Sequence, residues 1–206
     1  MDRRSWFSMA QFNTATLVLM ALAIAINIAV GNTVQNVIKL PIYLDSIGTV
    51  LVGVLAGPLA GALTGVLSNV IWGFTLGPTS IAPFAITAAF IGFLAGVFGR
   101  RGIFSPSRGG VGIVWVVVAG FLTGVVAAIV SAPIAYYVFG GTTGGGTDVL
   151  VTIFRGITDN VFTATLLQGG VSDPTDKTIT FIVCWAILLA VPVTVKTIFP
   201  QGEKSA

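Results

Sequence analysis

The chain alternates between long charge-free runs and short polar clusters. No charged residue occurs between Arg4 and Lys39, between Asp45 and Arg100, between Arg108 and Asp148, or between Lys177 and Lys196. A helix needs about 20 apolar residues to cross the hydrocarbon core of a bilayer. The first, third and fourth runs therefore hold one span each, and the second holds two or three. Gly57-Pro58 divides the second run, because proline removes a helix donor and clashes with the preceding turn. Gly77-Pro78-Thr79-Ser80 divides it again as a turn signal. The pattern thus predicts spans at 14–30, 42–56, 59–74, 81–98, 111–132 and 178–195. Backbone polar groups in lipid must be paired within the segment, so the spans are expected to be helices; no alternating barrel pattern is seen.

Two segments fall outside this scheme. Asn32 to Pro41 is too polar for bulk lipid. Residues 149–168 place Thr152, Arg155, Asp159 and Thr163 on one helical face, opposite Leu150, Ile153, Phe154, Ile157 and Val161. That predicts an amphipathic helix lying at or dipping into the outer face. The last span is expected to start after Ser172-Asp173-Pro174-Thr175-Asp176-Lys177, with Asp173 or Asp176 capping it. The run from Gly140 to Thr147 is rich in Gly and Thr but lacks the Lys-Ser/Thr ending of a phosphate-binding loop, so it reads as flexible linker.

Composition agrees with this class. Of 206 residues 55% are hydrophobic and 8% charged, where a soluble domain carries about 25% charged residues. The net charge of +3 invites a nucleic-acid reading, but its distribution marks topology instead. With six spans, Arg3, Arg4, Arg100, Arg101, Arg108, Lys196 and Lys204 share one side with only Asp2 and Glu203. Lys39, Arg155 and Lys177 share the other side with Asp45, Asp148, Asp159, Asp173 and Asp176. The basic side is the cytoplasmic one, so both termini are expected inside a cell membrane of the inner or plasma type. There is no His and a single Cys184, read as a small buried residue. Histidine-based haem, zinc and Ser-His chemistry is thereby excluded, and no cofactor and no enzymatic activity are expected.

Two constellations are candidates for function. Ala21, Ala25 and Ala29 repeat every four residues in the first span and allow a close helix approach. That approach is either internal packing or docking of another protein; the stripe Gly61, Gly65, Asn69 on the third span reads as internal packing. On the outer side, Asn32, Gln35, Asn36, Lys39, Tyr43 and Asp45 converge with Asn69, Trp72, Thr79 and Ser80. Ser131, Tyr136, Tyr137, Arg155, Asp159, Asn160 and Gln168 reach the same side from the fifth span and the segment between it and the last span. Such a set suits a polar, aromatic small solute; the plain alternative is a solvated rim in which Arg155 and Asp159 pair along their helix. Asn36, Tyr43, Asn69, Trp72 and Asn160 are the expected solute contacts, with Arg155 and Asp159 as an orienting pair.

An ordered set of motifs carries a family resemblance over nearly the whole chain. It comprises the Ala21/Ala25/Ala29 stripe, the run Lys-Leu-Pro-Ile-Tyr-Leu-Asp-Ser-Ile-Gly-Thr ending at Thr49, and Leu55-Ala-Gly-Pro-Leu-Ala-Gly61. Ser68-Asn-Val-Ile-Trp-Gly73 and Ser172-Asp-Pro-Thr-Asp-Lys177 complete it. The set resembles the substrate-binding S components of energy-coupling factor (ECF) transporters. The resemblance implies an importer subunit that takes a vitamin or related micronutrient from outside, with flavins and pyrimidine-type thiamine precursors among the candidates. It also implies docking, through the first-span alanines, on a membrane coupling subunit driven by two ATPase subunits. The competing function is an accessory subunit of a larger membrane complex with no solute of its own. The expected fold is an all-α membrane protein of six helices, with an outer polar vestibule and an amphipathic helix before the last span.

Overall fold

The computed structural model describes residues 8–75, 81–106 and 109–206. The Gly77–Ser80 turn, Thr79 and Ser80 of the outer polar set, and the charges Asp2, Arg3, Arg4 and Arg108 lie outside these. Among the described residues every regular element is helical: α1 (Thr14–Asn32), α2 (Ile47–Ala56), α3 (Pro58–Thr75), α4 (Ala85–Arg100), α5 (Gly110–Phe139), α6 (Asp148–Thr158), α7 (Val161–Ala190) and the short α8 (Val193–Lys196). Three stretches are long and apolar enough to cross a membrane, Thr14–Ile38, Ala82–Arg100 and Gly110–Phe139, and α2 is a shorter apolar helix. The protein is an all-α membrane protein.

Long-range hydrogen bonds tie the residues just before α1 and the C-terminal tail to one end of the bundle. The Gln11 side chain accepts from the Leu59 and Ala60 N–H groups at the start of α3 (2.9 and 3.2 Å). Asn13 donates to the Ile198 carbonyl (2.9 Å), and the Gln201 N–H donates to the Leu55 carbonyl (2.7 Å). Ser105 donates to the Ala206 carbonyl (3.3 Å). In the tail, buried Lys196 donates to the Ser205 and Leu188 carbonyls (2.8 and 3.3 Å), placing its charge at the C-terminal end of α7. The end of α2 and the start of α3 thus meet the tail and the residues before α1 at one clasped end of the bundle.

Glycines let the helices meet backbone to backbone. A Cβ on Gly61 would strike the Gly92 carbonyl and one on Gly92 would strike the Gly61 carbonyl, so α3 and α4 touch there. Gly124 of α5 faces the Asp173–Pro174 backbone of α7 in the same way. In lipid, where solvent exclusion does not drive helices together, such contact supplies dispersion energy. Gly61 and Gly65 are thereby explained as internal packing. Val50, Ile91, Phe104, Val116, Phe181 and Cys184 fill the centre, and Cys184 is fully buried.

Several boundaries differ from the pattern-based expectation. The expected last span, 178–195, belongs to a helix that begins at Val161 and runs through Pro174 to Ala190. Asp173 and Asp176 therefore cap nothing; they are buried mid-helix, held by tertiary partners. The expected amphipathic helix 149–168 is two pieces, α6 and the first turns of α7. The break falls at Asp159, which adopts left-handed backbone (φ 51°), and at Asn160, whose side chain caps α7 by accepting from the Thr163 N–H (3.0 Å). The helix of the expected second span starts only at Ile47, and α5 continues past Pro133 to Phe139. The polar stretch after α1 stays helical as a π-helical segment, Thr33–Ile38, ended by Lys39 in left-handed backbone.

Candidate solute-binding cavity

The end opposite the clasp holds a cavity reached by α2, α3, α4, α5 and α7. Counted out through its open mouth and including the solvent there, it holds about 1020 Å³ of space not filled by protein atoms. Its lining is two-natured. Ile91, Ala132, Ala135 and the rings of Trp72, Phe84 and Phe139 form the apolar part. Phe84, before α4, and Phe139, at the end of α5, stack with centroids 5.5 Å apart and nearly parallel planes.

The polar part is dominated by α7. Lys177, 2% exposed, reaches across to the segment before α2, donating to the Ser46 hydroxyl (2.9 Å) and pairing with Asp45 (3.4 Å) and with Asp176. Asp176 also accepts from the N–H groups of Tyr43 and Leu44 (3.0 and 2.7 Å). It thereby fixes the irregular segment 39–46, which contains two non-glycine left-handed residues, Lys39 and Leu44. Gln168 donates to the Tyr43 hydroxyl (3.0 Å), Ser131 to Asp173 (3.2 Å), and Gln35 to Asp45 (3.4 Å). Buried charges persist only when paired and hydrogen-bonded in this manner.

The α3 wall is different. Asn69, 5% exposed, lines the cavity and makes no hydrogen bond among the described residues. Thr87 of α4 also lines it, and its buried hydroxyl has no partner among them. A buried hydroxyl left unpaired costs about 1–3 kcal/mol, so Thr87, with the Asn69 amide beside the cavity, gives this wall hydrogen-bonding capacity to offer a guest.

The mouth is bordered by the Gly/Thr loop, which is more than a linker. Thr143, Gly145 and Thr147 line the cavity, and Asp148 at the start of α6 accepts from the Thr143 and Gly144 N–H groups (2.9 and 2.7 Å). The Gly146 N–H donates to the Gln35 carbonyl (3.2 Å), and a Cβ on Gly146 would strike the Lys39–Leu40 backbone.

The structure brings Asn36, Tyr43, Asn69 and Trp72 together around the cavity. Asn160, Arg155 and Asp159 are not among its lining residues; all three are exposed. No ion pair joins Arg155 to Asp159 among the described residues, since Asp159 has left the helix that would align the two. Sequence reasoning missed Asp173 and Lys177 as cavity residues and Asp176 as the buried partner of Lys177. A Pro and three charges read as a turn, whereas Asp and Lys amid apolar stretches of a membrane chain are themselves a functional signal.

Ala21, Ala25 and Ala29 are exposed on α1, while the adjacent Ala23 is buried against Gly48 of α2. The stripe thus faces outward from the bundle, while Ala23 faces inward.

An all-helical membrane protein with an amphiphilic cavity at one end of its bundle is built as a solute-binding membrane subunit. The model of the family described as ECF-type riboflavin transporter, S component, matches residues 11–168, and the chain belongs to that family. These are substrate-binding subunits of a transporter, not an enzyme family; they take a small-molecule substrate and work with membrane and ATPase subunits of an ECF module. The match ends before Asp173, Asp176 and Lys177. No curated protein and no solved structure matches the chain.

Proposed function

We propose that the protein captures riboflavin, or a flavin close to it, from outside the cell and delivers it to an ATP-driven ECF module. The observation that carries this reading is the two-natured cavity with an unpaired amide. A flavin is a flat ring system with an apolar dimethylated edge and a polar imide edge. Trp72, Phe84 and Phe139 supply apolar, aromatic walls, and Asn69 offers both a donor and an acceptor to the imide. Six crossings with both termini in the cytoplasm suit the clasped end of the bundle and the positive charge on that side. The exposure of Ala21, Ala25 and Ala29 supports their use as the face that meets the membrane coupling subunit, itself driven by two ATPase subunits.

The test is a riboflavin titration of the purified protein followed by quenching of flavin fluorescence. Wild type should bind, and Asn69→Ala and Trp72→Ala should each weaken binding by about tenfold or more, roughly 1.4 kcal/mol. If wild type binds but both variants stay within about twofold, the flavin lies elsewhere. If wild type binds no flavin and releases no small molecule on denaturation, the accessory-subunit reading gains.

A further inference from the structure

Helix α6 has three faces where a helix packed on a soluble protein has two. Leu150, Val151, Phe154 and Thr158 form the face turned to the protein, with Val151 only 3% exposed. At about 100° per residue, Thr152 and Arg155 fall together on a second, exposed polar face, and exposed Asp159 follows at the helix end. Val149, Ile153 and Ile157 share a third face, and they are 60, 51 and 73% exposed. An apolar stripe and a polar stripe thus stand side by side, both uncovered by the protein.

We propose that α6 is a membrane-surface helix. Its Val149/Ile153/Ile157 stripe dips into the outer-leaflet boundary between headgroups and acyl chains, while Thr152, Arg155 and Asp159 remain in water. Two observations favour lipid as the occupant. Helix α7, which packs on α6, also exposes the apolar side chains Phe162, Leu166 and Leu167, so the stripe belongs to a bundle whose outer surface is apolar, as a lipid-facing surface is. A helix lying in the interface also needs an apolar stripe beside a charged one, and that arrangement is present. The seat has a structural consequence. Asp148, in the first turn of α6, holds the loop bordering the cavity mouth, so that loop is anchored to the bilayer surface as well as to the protein.

The experiment places single cysteines on the full-length chain in a Cys184→Ser background, reconstituted in phosphatidylcholine/phosphatidylglycerol nanodiscs and labelled with an environment-sensitive fluorophore. Labels at Ile153→Cys and Ile157→Cys should be quenched several-fold more by brominated lipid than labels at Thr152→Cys and Arg155→Cys. Aqueous iodide should give the reverse order. Equal iodide quenching at all four positions would put the stripe in water and overturn the proposal. Protection of Ile153→Cys from both quenchers, at one chain per disc or only at higher protein density, would assign the stripe to a protein contact and overturn it equally.

Discussion

Asn27 gives the sharpest energetic test of the bundle. It lies in the middle of α1, 1% exposed, and joins three helices. Its amide donates to the Thr49 hydroxyl of α2 (2.8 Å) and to the Ser68 hydroxyl of α3 (2.9 Å), and its carbonyl accepts from the Gly48 N–H in the first turn of α2 (2.8 Å). That N–H is one of the helix-start donors with no intrahelical partner. In Asn27→Ala it is left buried and unpaired, at about 1–3 kcal/mol. The two side-chain bonds, at the roughly 0.6 kcal/mol typical of membrane helices, raise the expected loss to about 2–4 kcal/mol. Asn36→Ala is the matched control, because among the described residues the Asn36 side chain bonds only to Asn32 on its own helix and is half-buried. It should cost no more than about 0.5 kcal/mol. Detergent-micelle unfolding with increasing dodecyl sulfate, read by helical ellipticity, measures both. If Asn27→Ala unfolds within about 0.5 kcal/mol of wild type, the three bonds contribute little net stability and the reasoning fails.

Three further outcomes are expected. Lys177→Met strands Asp176 and Asp45 without their cation and should cost about 3–5 kcal/mol in the same assay; Lys177→Met combined with Asp176→Asn should recover part of that loss, and no recovery would argue against the pair. Ala25→Leu with Ala29→Leu should reduce co-purification of the ECF coupling subunit several-fold while leaving flavin affinity within about twofold, because the stripe is exposed and none of it lines the cavity; undiminished co-purification would count against a docking face. A cysteine at exposed Lys204 should resist a membrane-impermeant thiol reagent in intact cells and react after lysis. Labelling in intact cells would reverse the proposed orientation.

Composition and periodicity were enough to read the membrane class, the helical architecture, the separation of α2 from α3 at Gly57-Pro58 and the burial of Cys184. Each rests on a local cause: apolar length, a missing backbone donor, or a side chain without polar demands. Asn36, Tyr43, Asn69 and Trp72 were also legible as cavity residues, because polar groups in separate segments of a membrane chain are stable where they meet around a common cavity. What the sequence could not disclose depends on partners distant along the chain. Asp173, Pro174, Asp176 and Lys177 have the local signature of a turn. They are helical because Gly124 lets α5 close on Pro174, and because Asp45, Ser46 and the Tyr43 and Leu44 N–H groups satisfy charges that water would otherwise hold. Arg155 and Asp159 show the reverse: ideal helical spacing, but Asp159 ends its helix in left-handed backbone and the pair never forms. Asn27 looked like one polar residue in an apolar span, and only the approach of α2 and α3 gave its amide three partners. Local patterns determine which segments are helical and apolar. Which polar groups survive inside them is decided by tertiary contact, since a buried charge or amide is stable only where another part of the chain supplies its partner.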